Sequence, residues 1–186
     1  MKIILKALAA ASVLALGVAA AQAETAQNTM DVQITIKDGC TVNFPENAGN
    51  INFGEYAAIT EDLTLTKKVV INCKNASTTS ATAGQYTLSL NDGMGTGATT
   101  AARKLTSGSN TIDYTVYQAG SISSAVCGGK LWGAAADQTF TGTLTTGTGT
   151  VSGDHTHFFT VCIPKITGTQ PANGVYADTL TATLSY

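Results

Sequence analysis

The sequence predicts an all-β protein, an antiparallel sandwich of short strands. Three observations carry that expectation. Apolar residues recur at every second position in several segments, as on a strand with one buried and one wet face. Gly, Asn, Asp, Ser and Thr clusters punctuate these segments at roughly even spacing. Beyond the N-terminal leader, no stretch of useful length has the 3.6-residue periodicity of an amphipathic helix.

Residues 1–23 read as a cleavable export signal. Lys2 and Lys6 give a basic start, residues 5–21 are apolar, and Ala21-Gln22-Ala23 is a small-residue cleavage site, so the mature chain should begin at Glu24. The strongly apolar part is short for a membrane anchor. Loss of the two lysines moves the formal charge from −2 to −4. Only 12% of the residues are charged and no basic block occurs, which argues against a nucleic-acid partner. The surface must be covered mainly by Thr, Ser, Asn, Gly and Ala. Such a surface repels poorly and suits packing against copies of itself.

Residues 28–40, NTMDVQITIKDGC, come next. Met30, Val32, Ile34 and Ile36 alternate with Asp31, Gln33, Thr35 and Lys37. No turn folds this strand back on what precedes it, and it ends at the turn-forming pair Asp38-Gly39. It therefore reads as a free N-terminal arm, residues 24–38, ahead of one β-sandwich domain, residues 39–186. Such an arm can complete its own domain's sheet or add to a neighbour's.

The domain continues in short strands. Residues 41–44 and 51–56 are candidates, followed by a long one at 63–73 and a polar loop at 74–84. In 85–91, Tyr86, Leu88 and Leu90 share a face; in 111–118, Ile112, Tyr114 and Val116 do. Residues 92–100 are Gly-rich and turn-like. Shorter candidates lie at 131–132 and 138–144. Residues 145–153, TTGTGTVSG, are low in complexity and read as a loop. Residues 156–166 are strand-like, with Pro164 favouring an edge position or the strand's end. The last strand, 175–186, sets Tyr176, Leu180, Ala182, Leu184 and Tyr186 opposite Thr179, Thr181, Thr183 and Ser185.

Four cysteines, Cys40, Cys73, Cys127 and Cys162, imply two disulfides in an exported chain. Three pairings are possible. Sequence order makes Cys40–Cys73 with Cys127–Cys162 the simplest, each closing a loop worth about 3–4 kcal/mol in the chain-entropy picture. There is no CxxC and no His pair at zinc-finger spacing. His155 and His157 would share one face of a strand, with Asp154 on the other. No third ligand is visible, so the plainer reading is a polar loop end, and no bound metal or cofactor is expected. The glycines at 93, 95 and 97 lack the strand-to-helix context of a phosphate loop. Asn75-Ala76-Ser77 matches a glycosylation sequon by pattern. Trp132 could stack on a sugar, but a lone Trp in a sandwich is more often core. With no GxSxG, HExxH or GxxxxGK[ST], an enzyme is not expected.

Several segments carry a family likeness in the right order. They are Cys40-Thr41-Val42 behind the alternating arm, Ile51-Asn52-Phe53-Gly54-Glu55-Tyr56, Val70-Ile71-Asn72-Cys73, Arg103-Lys104-Leu105, Ile112-Asp113-Tyr114-Thr115-Val116-Tyr117, Leu131-Trp132-Gly133, and the closing Gly174-Val175-Tyr176-Ala177-Asp178-Thr179-Leu180 through Tyr186. In these the chain resembles the secreted spore coat protein U-like domains, which include major pilin subunits of archaic, Csu-type chaperone–usher pili. The resemblance implies an incomplete immunoglobulin-like antiparallel β-sandwich, completed by a donor strand from a neighbouring subunit. It implies as partners further copies of the chain, a periplasmic pilus chaperone, an outer-membrane usher and a tip adhesin. The expected location is a cell-surface fimbria reached through the periplasm, serving attachment and biofilm formation.

By the same resemblance, Met30, Val32, Ile34 and Ile36 are donor-strand plugs. Leu180, Ala182, Leu184 and Tyr186 border the acceptor groove and contact the chaperone. Cys40–Cys73 matches the family's disulfide. Cys127 and Cys162 depart from the family pattern and read as a second bridge; the Gly/Thr stretch 145–153 departs as well. The alternative is a secreted, monomeric, lectin-like sandwich that keeps its arm in its own sheet.

Overall fold

The computed structural model describes residues 33, 39–45, 49–77, 85–124, 127–143, 145–147 and 150–186. The chain divides into two compact units, Met1–Thr35 and Ile36–Tyr186. The leader and the arm positions Met30, Val32, Ile34 and Ile36 lie outside the described residues, and the fold given below is that of the second unit.

Its strands are β1 (Gly39–Asn43), β2 (Leu63–Ser77), β3 (Gln85–Leu90), β4 (Arg103–Ser107), β5 (Asn110–Ala119), β6 (Phe140–Thr143), β7 (Thr145–Gly147), β8 (Thr150–Ile163) and β9 (Ala182–Ser185). Among the described residues there is no helix. The larger sheet has the order β1-β2-β8-β5-β4, with β7 also paired to β8; the smaller has the order β6-β3-β9. Every pairing is antiparallel.

Strand β8 is central because its second half, FFTVCI, is apolar almost throughout. Residues 159–163 are all buried, and Pro164 follows the strand's last residue, where no further N–H is needed. In β3, Tyr86, Leu88 and Leu90 are buried, and in β5 Ile112, Tyr114 and Val116 are buried, each set on alternate positions. Both sheets turn these faces into one core with Val69 and Ile71 of β2. Each such side chain contributes about 1.5–3 kcal/mol on burial. Trp132 sits between the sheets, its ring 4.9 Å from Phe140 of β6 and 5.1 Å from Phe159 of β8. It is 1% exposed and its indole N–H donates to Leu88 O at 3.1 Å, so it is core rather than a sugar platform.

Four sequence expectations need correction. Strand β2 runs on to Ser77, through the start of the expected polar loop, with a shift of register between Cys73 and Ala76. Within the stretch expected as a loop, residues 145–147 form β7 and pair with the start of β8, Thr145 opposite Ser152 and Gly147 opposite Thr150. The β-branched threonines suit that ladder. Residues 51–56 form no strand. Gly54 has φ 94° and its N–H donates to Asn52 Oδ1 at 2.8 Å, an Asx-type turn that breaks the extended run. The C-terminal strand pairs only over 182–185, although half-buried and exposed positions alternate from Tyr176 to Tyr186.

Two disulfides brace the fold. Cys40–Cys73 joins facing residues of β1 and β2, and Cys127–Cys162 ties an exposed loop to the C-terminal end of β8.

Candidate functional site

A groove of about 1200 Å³ opens between the sheets. One wall is Ile112, Tyr114 and Val116 of β5 with Phe159, Val161 and Ile163 of β8; residues 49–59 and 170–180 form its rim. These rim segments are irregular and carry exposed apolar groups, Tyr56 at 51% and Val175 at 86% exposure. Among its lining residues only Glu55 and Asp178 are charged. The groove thus offers a long, mostly apolar surface.

Asp178 is occupied in holding the rim. It accepts from Tyr114 Oη at 2.7 Å, from the Met94 N–H at 2.8 Å and from its neighbour Thr179 N–H at 2.8 Å. Burial, and then the bond to Asp178, push the Tyr114 hydroxyl well above its ordinary pKa, so it stays a donor. Beside it, Arg103 is fully buried without a carboxylate partner in contact. Its guanidinium donates to Asn91 O at 3.0 and 2.9 Å, Thr100 O at 3.0 Å and Trp132 O at 2.7 Å. Burial lowers its pKa, opposed by the fields of Tyr114, Asp92 and Asp178.

The four C-terminal positions expected to border one groove do not all do so. Leu180 lines it; Ala182 and Leu184 are half-buried on β9, opposite Leu90 and Leu88 of β3. Tyr186 lies elsewhere, accepting from the Cys40 N–H at 3.4 Å and lining a second cavity of about 550 Å³ with Tyr86 and Gly142. Strand β9 pairs only with β3 and forms an edge of the small sheet among the described residues.

The histidines were expected at a polar loop end. They stand instead on one face of β8, where both reach the hydroxyl of Tyr86: His155 Nδ1 at 2.5 Å and His157 Nε2 at 2.6 Å. That hydroxyl has one proton, so it donates to one ring and accepts from the other. The two rings stack at 4.7 Å, and His157 stacks on Phe140 at 4.4 Å. Residue 142 on β6 must be glycine, because a Cβ there would collide with the Tyr86 hydroxyl and the His155 ring. Burial, helped by the His155 charge, lowers the pKa of His157 to about 4; burial raises that of Tyr86 to about 12. Tyr86 is a member no local motif signals, since its alternation marks it only as inward-facing. Among the described residues, no three His, Cys, Asp or Glu side chains gather as a metal site.

The described strands thus form an antiparallel two-sheet sandwich, braced by two disulfides and open along an apolar groove. The chain belongs to the Spore Coat Protein U domain family, which matches residues 26–183. Comparison with curated protein sequences found no significant match. Several solved structures are similar, three of them pilus proteins. One is the CsuC–CsuE chaperone–tip adhesion subunit pre-assembly complex from archaic chaperone–usher Csu pili of Acinetobacter baumannii, with 24% identity and a TM-score of 0.48 over 82% of this chain. This chain covers 40% of the matched chain in that complex. The second is the P pilus rod subunit PapA, with 14% identity and a TM-score of 0.47, covering 79% of this chain and 98% of PapA. The third is a chaperone–usher pilus described for its rod uncoiling, with 16% identity and a TM-score of 0.45, covering 87% of this chain and 96% of that one.

Proposed function

We propose that the chain is a structural subunit of an extracellular fimbria, polymerised by donor-strand exchange. One observation carries this reading: the apolar groove, whose floor is core residues of β5 and β8 and whose rim runs into β9, an edge strand of the small sheet among the described residues. An edge strand beside an apolar groove is a template for an added strand. The arm 28–37 has the matching pattern, with Met30, Val32, Ile34 and Ile36 as plugs. In this reading residues 1–23 direct export, a periplasmic chaperone covers the groove first, and an outer-membrane usher exchanges it for the arm of the next copy. A tip adhesin would end the fibre, the fibre would serve attachment and biofilm formation, and the subunit itself would catalyse nothing.

The test is electron microscopy of cells carrying the whole chain, no chain, or a chain lacking residues 28–37. Thin filaments should appear only with the whole chain. Filaments of equal number without residues 28–37 would refute the reading, as would a whole chain that is exported and remains monomeric.

A further inference from the structure

We infer that Tyr86, His155 and His157 form a binding site for a divalent first-row transition ion, copper(II) or zinc. The site is independent of the groove and of the assembly reading. Three donor atoms from two sheets converge on one point: the Tyr86 oxygen and, at 2.5 and 2.6 Å from it, one nitrogen of each imidazole. Two imidazoles and an oxygen suit copper(II) and zinc, with copper the tighter. Histidines two apart on a strand face the same way, so β8 holds both rings before any ion arrives.

The surroundings support ligation. Phe140 stacks on His157 and the rings stack on each other, which limits their rotation. Gly142 lets β6 pack directly on the Tyr86 hydroxyl and the His155 ring, beside a cavity of about 550 Å³ that Tyr86 and Gly142 line. Metal–ligand bonds of about 2.0–2.1 Å require the nitrogens and the oxygen to spread to roughly 3 Å apart. When the ion enters, the phenolic proton leaves to solvent and the oxygen binds as phenolate. Copper(II) and zinc supply the charge that offsets the cost of a buried phenolate.

The test uses the purified exported chain with CuCl₂ and ZnCl₂ in separate calorimetric titrations at pH 7. A single saturable equivalent is expected for each ion, with a rise in melting temperature because the ion ties β3 to β8. The copper EPR spectrum of the wild-type chain should show coupling to two imidazole nitrogens, a reading that needs no variant. His155→Gln with His157→Gln should reduce binding to background. Tyr86→Phe should keep weaker binding and lose the phenolate-to-copper charge-transfer band. An EPR spectrum without two-nitrogen coupling, or full binding by the double variant, overturns the site. A band unchanged in Tyr86→Phe overturns the tyrosine ligand.

Discussion

The Tyr114 hydroxyl donates to Asp178 Oδ2 at 2.7 Å, joining β5 to the C-terminal segment that rims the groove. The second carboxylate oxygen accepts from the Met94 and Thr179 N–H groups, so one side chain gathers three donors. Gly93, at φ 90°, packs so closely on this carboxylate that no side chain fits there. Tyr114→Phe removes one donor and should cost about 1 kcal/mol; Asp178→Ala leaves all three donors without their acceptor and should cost about 2–3 kcal/mol. Denaturant unfolding of the two variants checks the order. Equal losses would mean that the backbone contacts of Asp178 contribute nothing.

Arg103 should be more sensitive still. Its guanidinium satisfies carbonyls of Asn91, Thr100 and Trp132, three chain segments that otherwise meet without a shared strand. Arg103→Met leaves the buried Trp132 oxygen and the less buried Asn91 and Thr100 oxygens without their donor, at roughly 3 kcal/mol. Arg103→Lys should recover less than half of that, because one ammonium cannot reproduce the planar fork. The measurement is urea unfolding of both variants, and a lysine variant as stable as wild type would contradict it.

The pH dependence follows from His157. Its folded pKa of about 4 lies below the ordinary 6.5, so between these values the unfolded chain binds a proton that the folded chain does not. Stability therefore is fully present above pH 6.5 and falls as the pH drops toward 4. The groups facing His157 are His155 on its own strand, Tyr86 of β3, Phe140 of β6 and, opposite it on β2, Val69. None of them supplies a negative charge to hold a proton. Asp154 is engaged with Asn72 instead. Melting temperature from pH 7 to pH 4.5 should fall less in His157→Phe, which keeps the stacked ring. Parallel curves for variant and wild type would rule this out.

Much of the sandwich is legible in the sequence because period-two alternation reports one-sided burial directly. Residues 85–90 and 111–116 are the plainest cases, and the buried end of β8 shows as an apolar run. Residues 51–56 mislead because alternation says nothing of backbone turns, and the Asn52–Gly54 bond ends the strand. Gly/Thr repeats at 145–153 look featureless, yet threonine pairs well once β8 supplies a partner. The Tyr86–histidine cluster joins residues 69 and 71 positions apart from different sheets. Arg103 is unreadable for the opposite reason: its charge signals surface, and only three converging carbonyls make its burial tolerable.

Donor-strand assembly can be tested by separating the two halves of the contact. In the proposed reading the arm carries the plugs and the groove receives them, so the joint would be head-to-tail and each copy would have one of each half. Ile34→Asp puts a charge among apolar groove residues, at a cost of several kcal/mol, but leaves that copy's own groove intact. Leu180→Asp damages the groove wall and leaves the arm intact. Gln33→Asp changes the face of the arm that alternation assigns to solvent and should be neutral; a one-residue slip would be needed to bring it inward. Neither Ile34→Asp nor Leu180→Asp should form filaments alone. Mixed, they should give a heterodimer and nothing longer, because the Leu180→Asp arm fills the Ile34→Asp groove and the two remaining halves are both defective. A peptide of residues 28–38 should raise the melting temperature of an armless chain, and should fail to do so when that chain also carries Leu180→Asp. Size exclusion of the mixture reads the outcome. Long polymers from the mixture, or filaments from Ile34→Asp alone, would show that subunits join through some other surface.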